Sequence, residues 1–155
     1  IASCHSPWKR LLANWCLENN FGLLIGGGEW NDRRRFIQRE GAGISELRSL
    51  IRYLQHEGIV ITNADVFNNF DNCPVKFRGK YQNASLFSER LAMLAKVPII
   101  TAMPILSGTT IEFIAGPQFS TAELKSKSTR ITPRIISFFE KEIEKNPAIW
   151  SYYVK

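Results

Sequence analysis

Apolar positions along this chain follow two rhythms, one extended and one helical. Ile1-Ala2-Ser3-Cys4 is short and largely apolar, as a strand would be, and it runs into His5. Ser6 and Pro7 make a helix opening, because proline fits the first turn and serine can cap it. Trp8, Leu11, Leu12, Trp15 and Cys16 then recur at helical spacing until Asn19-Asn20 breaks the pattern. The continuous apolar run Phe21-Gly22-Leu23-Leu24-Ile25 predicts a buried strand, and Gly26-Gly27-Gly28 a flexible turn. That turn lacks the spacing of a P-loop or a dinucleotide fingerprint. Residues 31–40 are polar and basic and read as a short helix, broken by Gly41-Ala42-Gly43. From Ser45 to Glu57 the pattern is amphipathic, with Ile44, Leu47, Leu50, Ile51 and Leu54 on one side. Gly58 supplies the stop, and His56 in the last turn suits the helix dipole.

Ile59-Val60-Ile61-Thr62-Asn63 is β-branched and apolar, a second buried strand, and it leads to Asp65. Val75-Lys76-Phe77-Arg78-Gly79-Lys80 alternates apolar and basic, as a half-exposed strand or turn does. Asn83 is placed to cap a helix from Ala84 to Lys96. Residues 98–106 predict a strand, Ser107-Gly108 a turn, and Thr109 to Ala115 its hairpin partner. Residues 116–129 read as a long polar connection. Thr132-Pro133 opens a last helix with Ile135, Ile136, Phe139 and Ile143 on its apolar side, and Asn146-Pro147 ends it. The expected fold class is therefore α/β: a mixed, mainly parallel sheet flanked by helices, with a late hairpin.

At 155 residues the chain is expected to form one domain over 1–155, with neither internal repeat nor linker. It begins with Ile and opens directly on a strand, so an N-terminal portion is expected to be missing. No apolar run reaches the roughly 18 residues of a membrane-spanning helix, and no signal peptide is visible. Cys4, Cys16 and Cys73 have no zinc or disulfide spacing, which suits a reducing, cytoplasmic setting. Cys4 and His5 make a poor catalytic pair, because strand neighbours point to opposite faces. The net charge of +6 favours an anionic partner. Its densest basic run is Arg33-Arg34-Arg35 with Arg39, and no nucleic-acid motif accompanies it.

Two polar residues stand where strands end, His5 and Asp65. The carboxyl edge of a sheet is where α/β proteins place their chemistry. Position alone leaves a second reading open for each, that of a polar residue in a turn. The arginines likewise read as ligand contacts or as a solvated face.

The order of these pieces resembles the bacterial lipid A biosynthesis acyltransferases, the lauroyl and myristoyl transferase family within the lysophospholipid acyltransferase-like group. The similarity spans nearly the whole chain and covers the catalytic part of such a protein. Four stretches carry it: His5 with Trp8 at a strand-to-helix junction; Gly58 to Asp65, a strand ending in an aspartate; Val75 to Lys80, a phenylalanine-glycine block before a helix; and residues 139–150, a closing helix followed by Pro147 and Trp150. The last is the most specific.

The resemblance implies transfer of a fatty acyl group from an acyl carrier protein or coenzyme A thioester to a hydroxyl or amine of a lipid or small acceptor. In that scheme His5 is the general base, since a hydroxyl near pH 7 needs its proton removed as it attacks. An acid must orient the imidazole, and Arg33, Arg34, Arg35 and Arg39 are candidates for the oxyanion or for donor and acceptor phosphates. The acid expected five residues after the histidine is replaced by Arg10, or by Lys9 if the tryptophan is kept in register. Asp65 is then the best substitute and Glu29 the next. The same departure supports a second outcome, a catalytically silent domain of this fold that binds lipid or acyl carrier. No cofactor or metal is expected beyond the acyl thioester as co-substrate, and an apolar tunnel for the acyl chain is. The basic surface with Trp150, Tyr152 and Tyr153 suggests peripheral contact with an anionic membrane, at the inner face of the cytoplasmic membrane.

Overall fold

A computed structural model describes residues 1–3, 6, 8, 11, 14, 15, 18, 19, 23–25, 44–56, 58–125 and 130–150 of the chain. Its elements, in order, are β1 (Ala2–Ser3), β2 (Leu23–Ile25), α1 (Ile44–Gln55), β3 (Ile59–Asn63), β4 (Pro74–Phe77), β5 (Lys80–Asn83), α2 (Phe87–Ala95), β6 (Ile99–Ser107), β7 (Thr110–Phe119), α3 (Thr121–Lys125) and α4 (Thr132–Lys145), closed by a 3-10 turn over Pro147–Ile149. Leu11, Asn14, Trp15 and Glu18 are helical as well. The basic stretch 31–40 lies outside the described residues.

Among the described residues, five strands share one sheet in the order β2-β3-β1-β6-β7, and β4 and β5 form a second, two-stranded sheet. β2, β3, β1 and β6 run parallel, with Ile25 beside Ile61, Ser3 beside Asn63 and Ala2 beside Thr101. The expectation of a mainly parallel sheet needs correction. The parallel strands pair over only one to three residues each, whereas β6 and β7 pair antiparallel from Ile99–Phe119 to Ser107–Thr110, and β4–β5 is antiparallel too. A hairpin needs only a two-residue turn and can lengthen while both strands stay regular; parallel partners need long crossovers.

The interior is built from the faces that the sequence pattern marks. Ile135, Ile136, Phe139 and Ile143 of α4 are buried with Met103, Phe119, Phe77 and Val75. In a second cluster Leu50 of α1 packs with Val60 and Leu91. Gly58 closes α1 as expected: its N–H bonds the Tyr53 carbonyl at 3.1 Å, and a Cβ there would lie 2.5 Å from that oxygen.

Three boundaries differ from expectation for local reasons. β7 runs on to Phe119, and the supposed polar connection then folds into α3. Ser120 and Glu123 form a reciprocal cap, Ser120 N–H to Glu123 Oε2 at 2.9 Å and Glu123 N–H to Ser120 Oγ at 3.3 Å. Asn83 ends β5 instead of capping a helix, and α2 starts at Phe87. Thr132 is no cap either; its N–H and hydroxyl both donate to Glu89 Oε2 of α2, at 3.0 and 2.7 Å.

Candidate functional site

The parallel strands share one carboxyl edge, and β1 and β3 end on it side by side. Beyond the Ser3–Asn63 pair the ladder continues one bond further, from Ala64 N–H to the Ser3 carbonyl at 2.8 Å. Asp65 follows, two residues past Asn63, with its residue only 3% exposed. His5 lies outside the described residues; its neighbours Ser3 and Ser6 are both buried at this edge. Ser6 Oγ donates to the Pro104 carbonyl of β6 at 3.3 Å and accepts the Trp8 N–H at 3.2 Å, the capping role its sequence suggests. Among the described residues Ser3 Oγ and Thr101 Oγ1 are buried without a hydrogen-bond partner.

A buried carboxylate needs donors, and Asp65 receives one from far along the chain. Trp150 Nε1–H donates to Asp65 Oδ2 at 2.7 Å. Pro147 makes this geometry possible: α4 stops at Asn146, the 3-10 turn follows, and Ile149 anchors it in the core. The indole stands edge-on to Phe77, centroids 5.5 Å apart at 82°, and Phe77 in turn packs on Phe67 at 5.2 Å. The Arg78 guanidinium lies 5.7 Å from the Trp150 ring centre, close enough for cation–π attraction.

Arg78 is held there by its turn. Arg78 and Gly79 have φ of +54° and +74°, so both central residues of the β4–β5 hairpin are left-handed, as a type I′ turn requires. Glycine accepts this freely; arginine does so with its N–H fixed on Glu140 Oε1 of α4 at 2.7 Å. Three of the stretches that carry the family resemblance thus converge: the end of β3, the β4–β5 turn, and the closing helix with its tryptophan. The network of Trp150, Arg78 and Glu140 around Asp65 was not legible from spacing, because its members are scattered across residues 65–150. Trp150 is half-buried at this site. Tyr152, Tyr153, Glu29 and the arginines Arg33, Arg34, Arg35 and Arg39 lie outside the described residues.

A second buried carboxylate, Asp71, has a different job. The Leu86 N–H holds its pKa below the ordinary value, with Asn68 and Arg90 adding to the effect and burial opposing it. Oδ2 accepts from Leu86 N at 3.0 Å and Asn68 Nδ2 at 3.2 Å, and Oδ1 pairs with Arg90. With both oxygens occupied it fastens the start of α2. Burial pushes the Cys73 thiol up, away from the thiolate that a nucleophile needs. Among the described residues no group of three or more metal-ligating side chains occurs, and no helix is long and apolar enough to cross a membrane. An apolar cleft between Leu54, Val60, Leu91, Val97 and Ile99 measures about 30 Å³. Its lining includes Pro98 and Ile99 at the amino end of β6, and its volume suits a water, not an acyl chain.

Set beside curated proteins, the sequence finds no match. The family model for bacterial lipid A biosynthesis acyltransferase matches residues 29–155. That span holds Asp65, Arg78, Glu140, Trp150 and the four arginines of the basic run; His5 precedes it. The chain belongs to the bacterial lipid A biosynthesis acyltransferase family.

Proposed function

We propose that the chain moves a fatty acyl group from an acyl carrier protein or coenzyme A thioester to a hydroxyl of a lipid acceptor, with His5 as general base and Asp65 as its orienting acid. One observation carries this reading. Ser3 and Asn63 are paired in parallel register; Asp65 stands two residues past Asn63, and His5 two residues past Ser3. The two strand ends lie side by side, so Asp65 emerges at the edge from which the chain runs on toward His5. Asp65 then replaces the acid that Arg10 displaces from its usual place in the sequence.

The chemistry balances with these groups. The imidazole takes the acceptor hydroxyl proton as the oxygen attacks the thioester carbonyl. The tetrahedral intermediate places its negative oxygen against cations, for which Arg33, Arg34, Arg35 and Arg39 are the candidates. Collapse breaks the carbon–sulfur bond, and the imidazolium returns the proton to the departing thiolate. The Asp65 carboxylate favours the imidazolium while it lasts. No cofactor or metal enters this scheme.

The experiment is thiol release from acyl carrier and coenzyme A thioesters, with wild type beside His5→Ala. Release that survives His5→Ala unchanged overturns the histidine mechanism. Arg10 specifically favours a second reading, a silent domain that binds lipid or acyl carrier. Lipid or carrier binding without thiol release from any thioester would select it.

A further inference from the structure

Among the described residues only Arg78 and Lys96 have a left-handed backbone without being glycine, with φ of +54° and +57°. Lys96 is accounted for by its place: it closes α2, and its N–H returns to the carbonyls of Ala92 and Met93. Arg78 is not. The first central position of a type I′ turn favours asparagine, aspartate or glycine, and an arginine backbone is strained there. The bond from its N–H to Glu140 Oε1 at 2.7 Å does not explain the choice, since glycine would supply the same N–H. What glycine would lack is the side chain. The Arg78 guanidinium lies 5.7 Å from the Trp150 ring centre, and Trp150 Nε1–H meets the buried Asp65 carboxylate at 2.7 Å. Phe77 reaches the same indole, at 5.5 Å and 82°. Neighbours in an extended strand point to opposite faces; the turn at Arg78 brings both onto one ring.

We infer that Arg78 is a positioning residue for Asp65 that acts through Trp150, and that its left-handed backbone is retained for that role. A cation over the indole face does two things. It restrains the ring against rotation. It also draws electron density toward itself, so the N–H becomes a stronger donor to the carboxylate. Asp65 is thereby held in one orientation at the sheet edge. Strain kept at one residue by its packed surroundings is a mark of functional sites. Glu140 supplies part of those surroundings by fixing the Arg78 N–H on α4. The role in transfer rests on the reading of Asp65 as the orienting acid; the link from Arg78 to the indole proton does not.

The test joins proton NMR of the indole N–H with transfer kinetics. Of the four tryptophan resonances, that of Trp150 is the one that disappears in Trp150→Phe. In Arg78→Gln it moves upfield and its exchange with water quickens about ten-fold, while Arg78→Lys, which keeps a cation over the ring, moves it far less. In Arg78→Gln and Arg78→Gly kcat falls about five-fold with KM unchanged, and Arg78→Lys restores most of it. Arg78→Gly relieves the left-handed backbone, so it melts near the wild-type temperature and its slow transfer is no folding defect. On the Trp150→Phe background Arg78→Gln lowers kcat no further, because the donor is already gone. An indole resonance unmoved in Arg78→Gln overturns the proposal whether or not any thioester turns over. So does a rise in KM that multiplies with the effect of Trp150→Phe, which marks a direct substrate contact instead. A shifted resonance with no transfer by the wild type removes the transferase reading and leaves the link from Arg78 through Trp150 to Asp65 standing.

Discussion

Trp150 donates its indole N–H to Asp65 at 2.7 Å, joining two residues 85 positions apart. One end of the bond lies just past the shared edge of the parallel sheet and the other at the close of the last helix. A carboxylate buried at a strand end would otherwise choose among several rotamers and draw in water. The indole removes that freedom for one oxygen. Trp150→Phe keeps a ring against Phe77 while deleting the donor and part of the indole's packing surface. It is expected to cost about 1–3 kcal/mol of stability in urea unfolding and to lower kcat of thioester transfer about ten-fold or more, with KM little changed.

Asp71 predicts a pH dependence of stability. Its folded-state pKa is depressed below the ordinary carboxylate value, so the unfolded chain takes up this proton first as the solution is acidified. The stabilisation is complete above that unfolded value and is lost as pH falls through the lower folded one. Asp71→Asn should cost about 2 kcal/mol at pH 7, in line with hydrogen bonds to charged groups. The gap between wild type and variant, followed by urea unfolding, should narrow below about pH 4.

Glu89 ties α2 to α4 through both donors of Thr132, and Thr132 is only 3% exposed. Glu89→Ala strands two buried donors and is expected to cost about 2–3 kcal/mol. Thr132→Val removes one donor itself and should cost less. In a double-mutant cycle the pair should show a coupling of about 0.5 kcal/mol or more.

The regular elements were legible wherever apolar spacing was strict. β3, the β6–β7 hairpin and α4 follow directly from Ile59-Val60-Ile61, from Ser107-Gly108 between two apolar runs, and from Ile135, Ile136, Phe139 and Ile143. Ser120-Thr121-Ala122-Glu123 carries the signature of a capping box and could have revealed α3; a polar composition hid it. Thr132 misled because a good capping residue is also a good partner for distant groups, here Glu89; Asn83 misled because it ends β5, where its backbone carbonyl accepts the Asn68 N–H. Asp65 could be singled out as a polar residue at a strand end. Its donor could not, since no periodicity links residue 65 to residue 150. The short parallel pairings were overestimated because strand type was read from alternation with helices, which says nothing of how many residues each strand commits to its neighbour.

The most direct measurement is the pH profile of kcat/KM for thioester transfer, in wild type and in Asp65→Asn. In the proposed pairing the Asp65 carboxylate would raise the imidazole pKa, so its removal should move the acid limb of the profile to lower pH. The maximal rate should fall by about 100-fold or more, as the ring loses both its orientation and the charge that stabilises imidazolium. An Asp65→Asn protein that folds and retains the wild-type rate and profile would contradict the pairing of Asp65 with His5.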